Sequence, residues 1–149
     1  MMKLDDALYG VTRLGFDTAP IIYFVEAHPQ YDARVTWVFQ KITGGAFQGL
    51  TSVVTLSEVL VQPLMRGDLR IQQEYRDLLL HSRNFQTLPI DTGIAERAAD
   101  LRVRYRLRTP DAFQVAAALN AGCEAFLNND TIIKRVSEIR VLTLDELEL

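Results

Sequence analysis

The sequence alternates short apolar runs with longer segments of helical periodicity, and this alternation restricts the fold more than any other feature. The apolar runs predict β-strands at residues 11–16, 46–50, 85–90, 124–127 and 139–142. The segments between them predict helices at residues 20–25, 31–42, 53–64, 69–81, 92–105, 110–121 and 131–136. Strands that alternate with helices in this way are typical of an α/β fold with a mainly parallel sheet.

The composition is that of a chain that can bury its own core. Hydrophobic residues make up 48% of the 149 residues, and this length is typical of one domain. Cys123 is the only cysteine, so no intrachain disulfide can form and a reducing cytosol is the expected compartment. No run approaches the ~18 apolar residues that a membrane span requires, and the N-terminus lacks the pattern of a secretion signal. We therefore expect a single cytoplasmic domain over residues 1–149.

Four acids occupy positions where α/β proteins place functional groups. Asp17 and Asp130 each end a predicted strand just before a helix, and open α/β sheets bind their ligands at this carboxyl edge. Asp111 lies in the first turn of the helix that begins near Pro110, and Glu58 lies in the helix after the second strand. Clustered carboxylates repel one another, so a cluster at this edge would need a cation. Ligation by oxygen alone favours Mg²⁺ or Mn²⁺.

Each acid also has a structural explanation. Asp17 and Asp130 could cap helices, and Asp111 could be present because anions suit helix N-termini. Glu58 belongs to a polar stripe that could face water. The other members of this stripe are Thr51, Thr55 and Gln62. Convergence of all four acids on one sheet edge favours the functional interpretation.

Other hydrolase classes lack their motifs in this chain. The phosphate-binding loop GxxxxGK and the esterase elbow Gly-x-Ser-x-Gly are both absent. Asp17 is followed by Thr18 and Ala19, so the paired aspartates of haloacid-dehalogenase-like phosphatases are missing. His28 and His81 lie far apart and outside any ligand motif.

Three segments carry a family resemblance: FDTAPIIYFVE (residues 16–26), TSVVTLSEVLVQP (residues 51–63) and RTPDAFQVAAALNAGCEAFLNND (residues 108–130). They resemble the PIN-domain family, specifically the VapC-type toxin ribonucleases of type II toxin–antitoxin systems. The resemblance extends over residues 16–144. It implies a three-layer α/β/α sandwich with a mainly parallel central sheet flanked by helices.

The resemblance also implies an acidic catalytic pocket that binds metal. The catalytic and metal-binding positions are Asp17, Glu58, Asp111 and Asp130, with Thr18 and Asn129 as supporting neighbours. The sequence departs from the family pattern at Asn128, where a Thr or Ser is more usual before the Asn-Asp pair. At that position an amide replaces a hydroxyl.

The function that the resemblance implies is hydrolysis of RNA phosphodiester bonds with Mg²⁺, for which Mn²⁺ can substitute. One or two ions would activate water and neutralise charge, so no protein nucleophile is needed. A cognate antitoxin and a symmetric homodimer are the implied partners, with residues 53–64 and 69–81 expected at the dimer interface. The alternatives are a catalytically silent PIN-fold module that binds RNA or protein, an acid-site phosphatase, and a PIN nuclease of RNA processing or DNA repair.

A basic run before Asp111 is the predicted contact with RNA. The run LRVRYRLR (residues 101–108) supplies Arg102, Arg104, Arg106 and Arg108. Arginine binds phosphate through its planar fork, and Tyr105 could stack on an unpaired base. The alternative is a solvated basic helix face with Tyr105 in the core. Because the net charge is −3, attraction to nucleic acid must come from such a local patch.

Overall fold

The structure, a computed structural model, describes residues 1–149. Its elements in chain order are β1 (Met2–Lys3), α1 (Leu4–Ala7), β2 (Arg13–Phe16), α2 (Thr18–Val25), α3 (Asp32–Thr43), β3 (Gln48–Ser52), α4 (Val53–Arg66), α5 (Leu69–His81), β4 (Phe85–Leu88), α6 (Thr92–Tyr105), α7 (Thr109–Asn120), β5 (Ala125–Asn128), β6 (Arg140–Thr143) and β7 (Leu147–Glu148). Short 3₁₀ helices cover Thr131–Arg135 and Leu144–Glu146. None of the helices combines the length and the apolar character needed to cross a membrane.

A parallel sheet with the strand order β4-β3-β2-β5-β6 forms the centre of the molecule. The chain enters at β2, moves outward through β3 and β4, and then crosses back to β5 and β6. The strand order therefore reverses between β2 and β5, and open α/β sheets form their ligand crevice at such a reversal. Phe16 pairs with Leu127 at the ends of these two strands. The residues that follow both strands consequently emerge side by side.

Helices cover both faces of the sheet and enclose two apolar cores. One core joins Phe16 and Leu14 of β2 to α2, α3 and α5, where Tyr75 is fully buried. The other joins Phe126 of β5 to α6 and α7, where Leu101 is fully buried. Strands that are apolar on both faces are typical of parallel sheets covered by helices on each side. The arrangement confirms the predicted α/β/α sandwich.

Gly15 allows α7 to lie directly against the central strand. A Cβ at Gly15 would stand 2.7 Å from the Cβ of Ala118 and 3.1 Å from Cδ1 of Phe126. Real Cβ atoms do not approach so closely, so a larger residue would push the helix outward. The absence of a side chain at this position therefore places α7 close to the sheet.

The predicted elements are present with ends displaced by a few residues. The helix predicted at residues 20–25 is α2, and it begins at Thr18. Asp17 caps this helix, since Oδ1 of Asp17 accepts a hydrogen bond from the Thr18 backbone N–H at 2.8 Å. The segment predicted as a helix at residues 131–136 is 3₁₀ in character. A second, two-stranded parallel sheet of β1 and β7 was not predicted. Each of its strands has only two residues, too few to show a period.

Candidate active site

A cavity of about 310 Å³ opens at the carboxyl edge of the sheet, where the strand order reverses. Its lining is Asp17, Thr18, Ala19, Ile22, Glu58, Arg108, Pro110, Asp111, Asn129 and Asp130. All four acids predicted from the sequence and both predicted polar neighbours thus surround one space. They come from the junction of β2 and α2, from α4, from α7 and from the turn after β5, which are distant in the sequence.

Asp17 is the acid whose ionisation is most disturbed. Burial raises its pKa to about 6, against the opposing effect of the Thr18 N–H that donates to its Oδ1. The negative charges of Asp111, Glu58 and Asp130 are smaller causes of the same increase and are included in this value. A carboxylate in this setting is stabilised by a cation, because a cation offsets both the lost hydration and the repulsion.

Glu58 reaches the cavity from α4 and is held by a hydroxyl. Its Oε1 accepts a hydrogen bond from Oγ1 of Thr18 at 2.6 Å. The polar stripe to which Glu58 belongs does not simply face water, because Thr51 and Thr55 are buried and hydrogen-bonded to each other at 2.8 Å. The water-facing alternative is therefore wrong for these two threonines, whereas Gln62 is exposed.

Asp111 and Asp130 face each other across Arg108. Asp111 is 6% exposed, and its Oδ2 accepts a hydrogen bond from Nε of Arg108 at 3.1 Å. Nη2 of the same arginine lies 3.8 Å from Oδ2 of Asp130. Asp130 also caps the 3₁₀ turn that follows it, since its Oδ1 accepts from the Ile132 N–H at 3.0 Å. Asp130 therefore caps the following turn and also lines the cavity.

The amide of Asn128 has a structural use of its own. The side chain is fully buried, and its Nδ2 donates to the carbonyl of Leu142 at 3.2 Å, which joins β5 to β6. Its Oδ1 accepts from the Asp130 N–H at 2.6 Å and so shapes the turn that presents this acid. A Thr or Ser hydroxyl would not span both partners.

Asn129 is anchored from the far side of the cavity. Its Oδ1 accepts from the Asp145 N–H at 3.2 Å, and its Nδ2 donates to the hydroxyl of Tyr23 at 3.4 Å. Asp145 in turn accepts from the hydroxyl of Tyr31 at 2.6 Å. The segment after β6 thereby supports the wall of the site.

A buried polar cluster lies beneath the acids, and the sequence analysis did not identify its centre, Gln114. This side chain is 2% exposed and hydrogen-bonds to Ser52, Thr55 and Thr18. The signal in the sequence is a glutamine on a helix that is otherwise almost wholly apolar after Asp111. Buried polar side chains normally have partners, and here one of the partners, Thr18, lines the cavity.

The four predicted RNA-binding arginines are not all near the acids. Arg108 lines the acid cavity, whereas Arg104 is held by Asp100 at 2.8 Å and by Glu138 at 3.0 Å. Arg102 and Arg106 line a separate open groove near the end of α6.

Of the two interpretations of Tyr105, a stacking platform or a core residue, the structure favours the second. Its ring packs against the apolar core beside α6 and α7, and its hydroxyl lies 3.0 Å from Oγ of Ser137.

The donor set fits a hard divalent cation, although the acids do not converge as ligands in this structure. No three carboxylate, histidine or cysteine side chains meet closely enough to hold a metal ion. Arg108 contacts oxygens of Asp111 and Asp130, and Thr18 contacts one of Glu58. The guanidinium supplies the positive charge that the carboxylates require. Oxygen ligands around a partly solvated cavity are those that Mg²⁺ prefers.

Three solved structures share the fold of this chain. A toxin–antitoxin complex from Klebsiella pneumoniae is 26% identical, with a TM-score of 0.66 over 89% of this chain and 98% of that chain. VapBC2 from Rickettsia felis, bound to a DNA fragment from its promoter, is 12% identical, with a TM-score of 0.70 over 89% and 98%. FitAcB from Neisseria gonorrhoeae is 20% identical, with a TM-score of 0.67 over 91% and 100%.

The sequence was compared with curated proteins and with family models. No significant match was found among curated proteins. The PIN domain profile, in contrast, matches residues 16–139, which is most of the chain and includes every acid of the cavity. The chain therefore belongs to the PIN domain family.

Proposed function

We propose that this chain is a Mg²⁺-dependent endoribonuclease and the VapC-type toxin of a type II toxin–antitoxin pair, built as one PIN-like domain over residues 1–149. The observation that carries the proposal is the set of four carboxylates around one cavity at the reversal of strand order. Membership of a family of nucleases agrees with it. Burial and, to a smaller extent, the neighbouring acids raise the pKa of Asp17, and a cation would offset both effects.

The residues of the cavity have separable tasks in this proposal. Asp17, Glu58, Asp111 and Asp130 hold the cation, and the hydroxyl of Thr18 orients Glu58. When bound, Mg²⁺ or Mn²⁺ supplies an activated water and neutralises charge on the scissile phosphate. Arg108 leaves the carboxylates and binds phosphate oxygens through its planar fork. Its side chain is 74% exposed, so this movement disturbs no packing.

RNA is the proposed substrate, and the exposed arginines at the end of α6 are its proposed contacts outside the cavity. Arg102 and Arg106 are exposed and form no ion pair. They would contact the phosphates of an RNA strand that has another phosphate bound at Arg108. Phosphate contacts of this kind supply affinity without sequence preference. The cytoplasm is the proposed compartment for an enzyme with this substrate.

An antitoxin is the proposed regulator. The Klebsiella pneumoniae structure is described as a toxin–antitoxin complex, and the Rickettsia felis structure as VapBC2 bound to promoter DNA. The place of Arg108 between Asp111 and Asp130 indicates that the cavity accepts a guanidinium. A basic side chain from a partner would compete with Mg²⁺ for the same oxygens.

A symmetric homodimer is proposed from the exposed apolar side chains of α4 and α5. Val61, Leu64, Met65 and Leu69 are 49%, 55%, 75% and 76% exposed. Large apolar side chains exposed together on neighbouring helices are typical of an interaction site, and a two-fold axis would pair such a surface with itself. Light scattering at micromolar concentration tests this part of the proposal, and a monomer mass would contradict it.

Cleavage of RNA in the presence and absence of metal tests the enzyme proposal. We expect the purified protein to cleave unpaired RNA with Mg²⁺ or Mn²⁺ and to stop when EDTA is added. Asp111→Asn should lose at least the ~10–100-fold that follows the loss of an outer-shell partner in metal sites. Asp68→Asn, at the cap of α5 and outside the cavity, is the matched control and should remain active. Full activity of Asp111→Asn would refute the four-acid site.

A further inference from the structure

The polar cluster beneath the acid cavity is both buried and completely paired. Its members Thr51, Ser52, Thr55 and Gln114 are 4%, 0%, 0% and 2% exposed. Each of them has at least one hydrogen-bond partner, and the one unpaired buried side-chain atom of the chain is Oγ1 of Thr143, which lies elsewhere. A fully satisfied network in a low-dielectric interior holds its members in one arrangement.

The direction of the hydrogen bonds on one side of Gln114 follows from a backbone carbonyl. Thr51 donates to the carbonyl of Phe16 at 3.0 Å, and a carbonyl can only accept. Thr51 Oγ1 therefore accepts from the Thr55 hydroxyl, 2.8 Å away. Because the Thr55 proton is used in this way, Thr55 Oγ1 accepts from Nε2 of Gln114 at 2.5 Å.

Ser52 fixes the orientation of the Gln114 amide from the other side. Its Oγ accepts from the Val54 N–H at 3.1 Å and donates to Oε1 of Gln114 at 2.7 Å. The reverse orientation of the amide would leave the Ser52 proton without an acceptor. Nε2 therefore faces the threonines, and its second proton points to Oγ1 of Thr18 at 3.2 Å.

The last link joins this cluster to the acid site. Since Thr18 Oγ1 accepts from Gln114, its own proton is directed to Oε1 of Glu58 at 2.6 Å. We propose that Gln114 is a positioning residue for Glu58 and acts through the Thr18 hydroxyl. The inference rests on the proposed function, in which Glu58 helps to hold the cation.

Gln114→Met removes both donors and keeps nearly the same length and volume. Without the donor from Gln114, the Thr18 hydroxyl can turn toward Thr55, 3.2 Å away, and leave Glu58 unrestrained. Outer-shell partners of metal ligands typically contribute ~10–100-fold in affinity, so we expect the Mn²⁺ dissociation constant to rise about 10-fold. This readout does not depend on RNA cleavage.

A double-mutant cycle distinguishes positioning from a merely structural role. Mn²⁺ binding is titrated by electron paramagnetic resonance for the wild type, Gln114→Met, Glu58→Gln and the double variant. If Gln114 acts through Glu58, its substitution lowers affinity in the wild-type background and has no further effect beside Glu58→Gln. An equal loss in both backgrounds means that Gln114 supports the fold only, and it overturns the proposal.

A second pair of variants covers the case in which Gln114→Met does not fold. Thr55→Val removes the acceptor that anchors the Gln114 amide, whereas Thr55→Ser keeps it. We expect the valine variant alone to weaken Mn²⁺ binding, and only when Glu58 is present. Equal affinity of the two variants overturns the positioning role. A wild-type protein that binds no Mn²⁺ overturns the proposed function and this inference together, whereas Mn²⁺ binding with an additive cycle overturns the inference alone.

Discussion

Nε of Arg108 donates a hydrogen bond to Oδ2 of Asp111 at 3.1 Å. The exposed fraction of the side chain is 74% for Arg108 and only 8% for Asp111. The arginine therefore closes the cavity from the solvent side, while the aspartate belongs to its floor. The negative neighbours raise the pKa of Arg108, with the bond to Asp111 as the largest cause. This guanidinium therefore brings a positive charge to the mouth of the acidic cavity.

The Arg108→Gln variant should separate metal binding from RNA cleavage. Because the guanidinium and the ion require the same oxygens, we expect Mn²⁺ to bind the variant severalfold more tightly, as measured by isothermal titration calorimetry. RNA cleavage should fall, since glutamine cannot bind phosphate as a charged fork. Arg83→Gln makes the same change in charge just before β4, at the opposite edge of the sheet, and should alter neither quantity. Weaker Mn²⁺ binding in Arg108→Gln would contradict the competition.

Asp17→Asn should stabilise the protein when metal is absent. The pKa of Asp17 is raised from 3.8 to about 6, so the folded state binds its proton more tightly than the unfolded chain does. Stability of the wild type must then decrease as the pH rises from about 4 to about 6. Asparagine still caps α2 and carries no charge. At pH 7.5 we expect a gain of up to about 2–3 kcal/mol in the free energy of unfolding, less where water screens the site.

Chemical denaturation at two pH values, with and without Mg²⁺, measures this effect. The gain of Asp17→Asn should shrink as the pH falls and disappear near pH 3, below both pKa values, where the wild-type carboxyl is mostly protonated in the folded and the unfolded state. Saturating Mg²⁺ should stabilise the wild type and reverse the order, because a ligand that binds only the folded state raises its stability. Asp68→Asn changes another capping aspartate outside the cavity and should give no gain. A loss of stability in Asp17→Asn at pH 7.5 without metal would refute the account.

Gly15→Ala should weaken both the fold and the site. Its Cβ would meet the Cβ of Ala118 at 2.7 Å, and overpacking of this kind typically costs ~1–3 kcal/mol. The displaced helix α7 carries Asp111 and Gln114, so Mn²⁺ affinity should decrease as well. Thermal unfolding measures the first effect and calorimetric titration the second.

Two controls make the Gly15 prediction specific. Gly15→Ala combined with Ala118→Gly removes the clash and should recover part of the stability, reduced by the ~0.5–1 kcal/mol that glycine costs inside a helix. Gly93→Ala introduces a Cβ no closer than 3.5 Å to any neighbour and should leave the stability unchanged or slightly higher. A Gly15→Ala protein as stable as the wild type would show that α7 can shift freely.

Positions that depend on local sequence were predictable, and positions that depend on distant partners were not. Asp17 and Asp130 were found because strand ends and helix caps leave short-range signals, and the parallel sheet then brings them to one edge. Gln114 was missed because its partners Ser52 and Thr18 lie 62 and 96 residues away in the chain. A glutamine on a helix does not reveal whether it meets water or a buried serine.

The contacts of the arginines in the basic run could not be predicted from the sequence either. All four arginines between residues 102 and 108 have the same chemistry in the sequence, yet only Arg108 lines the acid cavity. Arg104 is bound by Glu138, which is 34 residues away and follows the 3₁₀ turn. The direction of the chain after α6 decides this, since Arg106 adopts a left-handed conformation with φ of 56° that ends the helix and turns Arg108 toward the acids.

Expression in a bacterial host tests the toxin proposal. We expect the wild-type protein to slow growth when it is produced alone, because an unrestrained ribonuclease degrades the RNA of its own cell. Co-expression of the cognate antitoxin should restore growth, since a basic side chain placed between Asp111 and Asp130 would exclude Mg²⁺. Asp111→Asn should be harmless at the same protein level, as checked by immunoblotting, whereas Asp68→Asn should remain toxic. Growth arrest by Asp111→Asn would mean that toxicity arises from something other than cleavage at this site.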